Sequence, residues 1–198
     1  MSAAPEVVPD LTLGARGTDL QLVVAGARFS DARGAPREAE TALRELVALI
    51  KELRGRGAHV YIVGNGGSAG VASHAVTDFV NVGKLRAATL HDASLLTCMS
   101  NDYGYEVAFA RLVSTMAAPG DFLVAISSSG QSRNIRNAAI AMRDAGGTTL
   151  TLSGFKPDNP LRLLGDFNVW LDSSDYGMVE IGHQFVLHNI ADRLRLGQ

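Results

Sequence analysis

Residues His59 to Ser68 read HVYIVGNGGS, an apolar, β-branched run that passes straight into a glycine-rich turn ending in serine. Small residues suited to a helix start follow, from Ala69 and Gly70 toward Asp78. This junction constrains the fold more than any other part of the chain. A strand that feeds a glycine-rich loop at a helix N-terminus builds an anion site. The glycines let backbone approach a ligand, and free N–H groups and the helix dipole favour negative charge. A second loop of the same kind, Ser127-Ser128-Ser129-Gly130-Gln131-Ser132, follows the apolar run Phe122–Ile126. Two such loops in one small domain point to a phosphorylated ligand.

The pattern alternates around these loops. Strands are predicted at Val60–Val63, Arg86–Leu90, Phe122–Ile126, Thr148–Leu152 and Asn168–Leu171. Helices are predicted at Ser68–Val80, Ser94–Ser100, Tyr105–Met116, Arg133–Ala145, Asn159–Leu164 and Val179–Leu196. Before them, Leu43, Leu46, Val47, Ile50 and Leu53 recur at helical spacing, closed by Gly55 and Gly57. Thr18 to about Ala32 reads as a first helix, and residues 1–17 as an arm with little pattern. Alternation of this kind implies parallel strands with right-handed crossovers. The expected class is α/β, a doubly wound, flavodoxin-like five-stranded parallel sheet flanked by helices, with ligands at the carboxyl ends of the strands. The division is an N-terminal arm and helix over 1–35 and a single domain over 36–198.

Composition narrows the partners. The 198 residues are 46% hydrophobic and 19% charged, which suits a packed core and argues against disorder. Net charge is −2, so no basic field exists for nucleic acid. No apolar run approaches a membrane span of about 20 residues. The lone cysteine, Cys98, lies in an apolar run and reads as a small buried hydrophobe, in keeping with a reducing cytoplasm. Trp170, within the last strand, reads as core.

The first loop is not a dinucleotide fingerprint, because Ala69 stands where G-x-G-x-x-G requires glycine, and no G-x-x-x-x-G-K-[ST] occurs. The competing reading is that both loops are only tight turns whose serines cap helices. His74 and Asp78 are four apart on the helix after the first loop and share a face. Glu180, His183 and His188 lie on the closing helix. Imidazoles and carboxylates suit zinc or a similar divalent ion, and they also move protons. His59 reads as structural and His91 as a weak candidate near the strand ends. Asp102 either N-caps a helix or contacts ligand hydroxyls, and Asp172, Ser173 and Ser174 follow the last strand toward the same face.

Gly64-Asn65-Gly66-Gly67-Ser68 followed by Ser73 and His74, then Asn101-Asp102-Tyr103-Gly104-Tyr105, the serine loop, and Glu180, His183 and His188 together resemble the sugar isomerase (SIS) domain. The resemblance spans about residues 37–195 and is nearest the phosphoheptose isomerase branch, which interconverts sedoheptulose 7-phosphate and a mannoheptose 7-phosphate. It implies a homotetramer with active sites between subunits, a phosphorylated sugar as ligand, and a divalent metal, zinc. It places His74, Asp78, Glu180 and His188 at the metal and acid–base positions, with His188 as general acid and Asp78 as general base. Substrate contacts are implied for Asn65, Gly66, Gly67, Ser68, Asn101, Asp102, Ser127, Ser128, Ser129, Ser132 and Glu180. His183 stays open between a structural histidine and a group orienting the site. Two residues depart from the family pattern: Asp78 replaces a glutamate and Glu180 a glutamine. The shorter Asp78 is expected to displace its carboxylate by roughly an ångström.

Three function classes compete. An aldose–ketose isomerase needs both loops and the acid–base set. A non-catalytic SIS module, binding a sugar phosphate or a protein such as a replication initiator, needs only the loops. An amidotransferase-type isomerase is disfavoured by the single domain. Retention of His74, Asp78, Glu180 and His188 favours the first.

Overall fold

A computed structural model describes residues 10–197. The chain forms a seven-stranded sheet between two layers of helices. Five strands are parallel: β3 (His59–Val63), β4 (Arg86–Thr89), β5 (Phe122–Ser127), β6 (Thr148–Ser153) and β7 (Phe167–Trp170). Two short strands extend it antiparallel at the β7 edge, β1 (Arg28–Asp31) and β2 (Pro36–Arg37). The order is β2-β1-β7-β6-β5-β3-β4. Within the parallel part the chain steps outward from β3 to β4, then returns to the other side of β3 as β5. That reversal is the switch point at which doubly wound sheets bind ligands.

Helices α2 (Ala39–Arg56), α3 (Gly67–Asn81) and α7 (Tyr176–Leu196) cover one face of the sheet. Helices α5 (Tyr105–Met116) and α6 (Arg133–Asp144) cover the other. β5 is buried along its whole length, as a central strand with both faces covered should be. In α2 the periodic set Leu43, Leu46, Val47, Ile50 and Leu53 is the buried stripe, and each such side chain contributes about 1.5–3 kcal/mol. Gly55 lies inside this helix. Gly57, at φ +69°, ends it in the left-handed conformation that glycine adopts freely. Trp170 is core, 1% exposed.

The N-terminal segment differs from expectation. Residues 1–9 of the anticipated arm lie outside the described residues. Helix α1 spans Leu13–Ala25, starting inside that arm because the Thr12 hydroxyl accepts from Ala15 N. Gly26 ends it, and residues 28–31 form β1 instead of continuing the helix. The strand owes its existence to pairing with β7, 138 residues away along the chain at Ser30 and Asn168, which no local pattern announces. The pairing carries the sheet across the division anticipated at residue 35. No described helix is long and apolar enough to cross a membrane.

Candidate active site

Four α-helices are closed at their N-termini by side chains. Thr12 caps α1, Glu38 caps α2, Asp92 caps α4 (Ala93–Tyr103) and Asp175 caps α7. α3, starting after Gly66, and α6, starting after Ser132, have no side-chain cap; nor does α5, after Gly104. An uncapped start leaves backbone N–H donors without partners at the positive end of the helix dipole. The starts of α3 and α6 open onto one cavity of about 150 Å³. It is lined by Asn65, Ser68, Ile126, Ser127, Ser128, Ser129, Ser132, Tyr176 and Glu180. The reading of the loops as serine-capped turns therefore fails. Ser132 stands at the cap position, but its hydroxyl accepts from Ser127 Oγ at 3.1 Å. Ser128 Oγ is buried without a hydrogen-bond partner among the described residues.

Asn65 plays a second part. Its Oδ1 accepts from Tyr105 Oη at 2.7 Å and from Asn134 Nδ2 at 2.9 Å, while its Nδ2 donates to Asn134 Oδ1 at 3.0 Å. Most of the amide's capacity is thus spent on protein groups. The pair locks the first loop to the first turn of α6. His91 supports the same loop by accepting from Gly64 N at 3.4 Å, and burial pushes its imidazole below the ordinary value.

Gly67 opens α3, and a Cβ there would overlap the Glu180 carboxylate. Glycine at this position lets Glu180, reaching from α7, lie against the first turn of α3. Positions 67, 74 and 78 share one face of α3, seven and eleven residues apart. Two turns beyond Gly67, that face meets α7 again. His188 Nδ1 lies 3.0 Å from Asp78 Oδ2, His74 Nε2 lies 3.6 Å from the same oxygen, and the two Nε2 atoms are 3.1 Å apart. The aspartate is largely buried and the histidines are half exposed. The His188 contact lacks the direction of a hydrogen bond, and Asp78 Oδ2 is a buried acceptor without one.

The donor set fits a divalent cation. The candidate ligand atoms of His74, Asp78 and His188 lie within 4.8 Å of one another. Two imidazoles on one tetrahedral zinc ion would place their nitrogens about 3.3 Å apart. Glu180 is not in this cluster. It stands eight residues before His188, about 12 Å along the helix axis, and faces the serine cavity.

Other anticipated residues fall elsewhere. Asn101 and Asp102 end α4 outside the cavity, where Asp102 accepts from Asn101 Nδ2 at 2.9 Å and Cys98 Sγ at 3.6 Å. Asp102 caps no helix start; Asp92 does that for α4. Cys98 is exposed, against expectation: α4 buries no residue fully, and its Leu96 and Met99, rather than Cys98, pack against the core. Asp172 pairs with Arg28 at 3.5 Å, and Ser173 Oγ accepts from Asp175 N. His183 is fully buried, with Nε2 3.1 Å from Ser153 O, and burial pushes it down to about 4. His59 stacks on Tyr61. Two contributors carry no sequence signal: Tyr176 in the cavity wall, and Asn134, whose place after Ser132 acquires meaning only through Asn65.

A family model described as the SIS domain matches residues 32–154. The phosphoheptose isomerase of Trichlorobacter lovleyi is 35% identical over 166 residues, covering 77% of this chain and 84% of the relative. The solved structure of a phosphoheptose isomerase from Francisella tularensis superposes with a TM-score of 0.78 over 91% of this chain and 93% of its own; at 22% identity that likeness speaks for the fold alone. The phosphoheptose isomerase structure from Neisseria gonorrhoeae superposes with a TM-score of 0.70, at 27% identity, over 78% of this chain and 85% of its own.

Proposed function

The chain belongs to the SIS domain family, among the phosphoheptose isomerases, and we propose that it converts sedoheptulose 7-phosphate to a D-glycero-mannoheptose 7-phosphate. It is an isomerase. The observation that carries the substrate assignment is the spacing of the two stations on the α3–α7 face. The His74–Asp78–His188 cluster begins two helical turns from the serine cavity, about 10 Å along α3. Eight bonds separate C1 from phosphorus in a ketoheptose 7-phosphate. At about 1.2 Å per bond in an extended chain, they span about 10 Å. A five-carbon ketose phosphate is two bonds shorter.

Ser127, Ser128, Ser129, Ser132 and Ser68, with the open N-termini of α3 and α6, hold the phosphate. Gly66 and Gly67 allow close backbone approach, and Glu180 accepts from sugar hydroxyls. Asp78 turns Oδ2 toward the histidines, which leaves Oδ1 as the base. It takes a proton from C1 while the His188 imidazole gives one to the C2 oxygen, forming the enediol. Return of a proton to C2, with loss of one from the C1 oxygen, yields the aldose. No electrons leave the substrate. His74, Asp78 and His188 would hold zinc, which when bound supplies Lewis-acid polarisation of the carbonyl and its neighbouring hydroxyl.

The protein works as a homotetramer with sites between subunits. Supporting this, α1 buries no residue and α4 none within the chain. Ile181 and Phe185 are also exposed, on the stripe of α7 that continues to His188. An unpaired, exposed Cys98 suits a reducing cytoplasm.

The test is a screen of C5–C8 ketose phosphates in D2O. The heptulose 7-phosphate is expected to turn over fastest, with deuterium entering at the carbon bearing the exchanged proton. Absence of both aldose and deuterium with every substrate would overturn the assignment.

A further inference from the structure

Tyr176 opens α7 and lines the serine cavity beside Glu180. It is 61% exposed, yet its ring is supported. It stands edge-on to Phe155, with centroids 4.8 Å apart and planes at 71°. Phe155 has φ +56°, in the left-handed region that a bulky residue enters only at a steric cost. Two hydrogen bonds enforce that conformation. Phe155 N donates to Ser173 O at 2.8 Å, and Gly154 N donates to Ser128 O at 2.8 Å. The dipeptide therefore bridges the serine loop and the segment entering α7. A Cβ at Gly154 would crowd Val179, so the bridge is pressed against that helix. Strain of this kind, observed at the edge of a ligand cavity, is a pointer to function.

We propose that Tyr176 is a ligand-contacting residue of the phosphate site, its hydroxyl donating to a phosphoryl oxygen, and that Phe155 is the positioning residue that holds the phenol over the cavity. The inference rests on the sugar-phosphate reading above. Serine hydroxyls and the two open helix starts supply donors from the floor and sides of the cavity. The Glu180 side offers a carboxylate, which repels phosphoryl oxygens. Tyr176, one turn earlier on the same helix and in the cavity wall, is the residue that would bring an uncharged O–H donor to that side.

The experiment compares wild type, Tyr176→Phe, Phe155→Gly and the double variant by calorimetry with inorganic phosphate and with sedoheptulose 7-phosphate. Circular dichroism and steady-state kinetics accompany it. Tyr176→Phe is expected to weaken both ligands about 10-fold and to raise KM by the same factor, with kcat held within about twofold. Phe155→Gly removes the strain and the ring support together, so the fold persists while phosphate affinity falls. The double variant should bind no more weakly than Tyr176→Phe, because Phe155 acts through Tyr176. Unchanged affinity in Tyr176→Phe, or additive losses in the double variant, would overturn the proposal. If phosphate binds with this dependence on Tyr176 but no ketose phosphate turns over, the isomerase assignment fails and the Tyr176 site stands. If wild type binds no phosphate, both fall.

Discussion

His188 Nδ1 lies 3.0 Å from Asp78 Oδ2, a contact that joins α7 to α3 even though Asp78 is one methylene shorter than the glutamate the family pattern expects. The two helices meet at this point, and the imidazole reaches Asp78 with one nitrogen and His74 with the other. The three side chains form one compact cluster, on which the proposed proton transfer and cation binding would both draw.

Removing the acid–base pair should separate chemistry from binding. Asp78→Asn and His188→Ala are each expected to lower kcat by about 10²–10⁴-fold. Affinity for inorganic phosphate, read by calorimetry, should stay within about twofold, because the serine cavity lies two turns away. Wild-type turnover in both variants would remove Asp78 and His188 from the chemistry.

Metal binding can be read without turnover. Titration with Zn2+ should saturate at one ion per chain, and His74→Ala should weaken it by at least about 10–100-fold, the loss seen for residues that only support a ligand. Chelation should lower the melting temperature of wild type but not of His74→Ala. Equal zinc affinity in the two proteins would dissociate the triad from the metal.

His183 gives the fold a pH dependence of defined sign. Burial depresses its folded value to about 4 from an ordinary 6.5. Between these values the unfolded chain carries a proton that the folded chain refuses. Its contribution is complete above about pH 6.5 and is lost as pH falls toward 4, by at most about 1.4 kcal/mol per pH unit. His91, also depressed by burial, acts in the same direction. His183→Gln keeps a donor for Ser153 O but cannot titrate. Denaturant midpoints at pH 7 and about pH 5 should differ less in this variant than in wild type.

The clamp between the loops should matter to binding more than to the proton steps. Asn134→Ala removes both amide–amide hydrogen bonds to Asn65, at 2.9 and 3.0 Å. Leaving buried polar groups unpaired costs about 1–3 kcal/mol. The expected outcome is a raised KM for the ketose phosphate with a smaller change in kcat. Tyr105→Phe, which removes only the 2.7 Å bond to Asn65, should follow in the same direction by less.

The parallel sheet was legible because β3 and β5 are short apolar runs, β4, β6 and β7 carry apolar or β-branched residues, and the strands alternate with turn residues and helical patterns. Local signals of this kind are strong where burial and periodicity agree. β1 was not legible, since its residues become a strand only by pairing with β7. The serine and glycine loops were legible as two open helix starts, which the structure brings to one cavity, and the i, i+4 spacing of His74 and Asp78 announced half of the cluster. The resemblance placed Glu180 with the metal ligands; in the structure it lies against Gly67, two turns of helix before His188. Cys98 misled because an apolar run on α4 looks the same whether a chain's own core or another surface covers it. Tyr176 is a single aromatic at a helix start, and its support, Phe155, takes its meaning from a backbone angle that composition does not encode.

Val63 and Ala125 are register partners on neighbouring strands, and the glycine and serine loops leave the sheet within two residues of that rung. The loops are thereby held at the interstrand repeat of about 4.8 Å, on the stiffest part of the molecule. On the proposed reading, a cavity mounted on adjacent central strands anchors one end of the ligand. Under that reading discrimination among sugars is a matter of length: with phosphate in the serine cavity, a chain of the right reach would bring its carbonyl to the triad. Shorter sugar phosphates should occupy the site as inhibitors without being turned over.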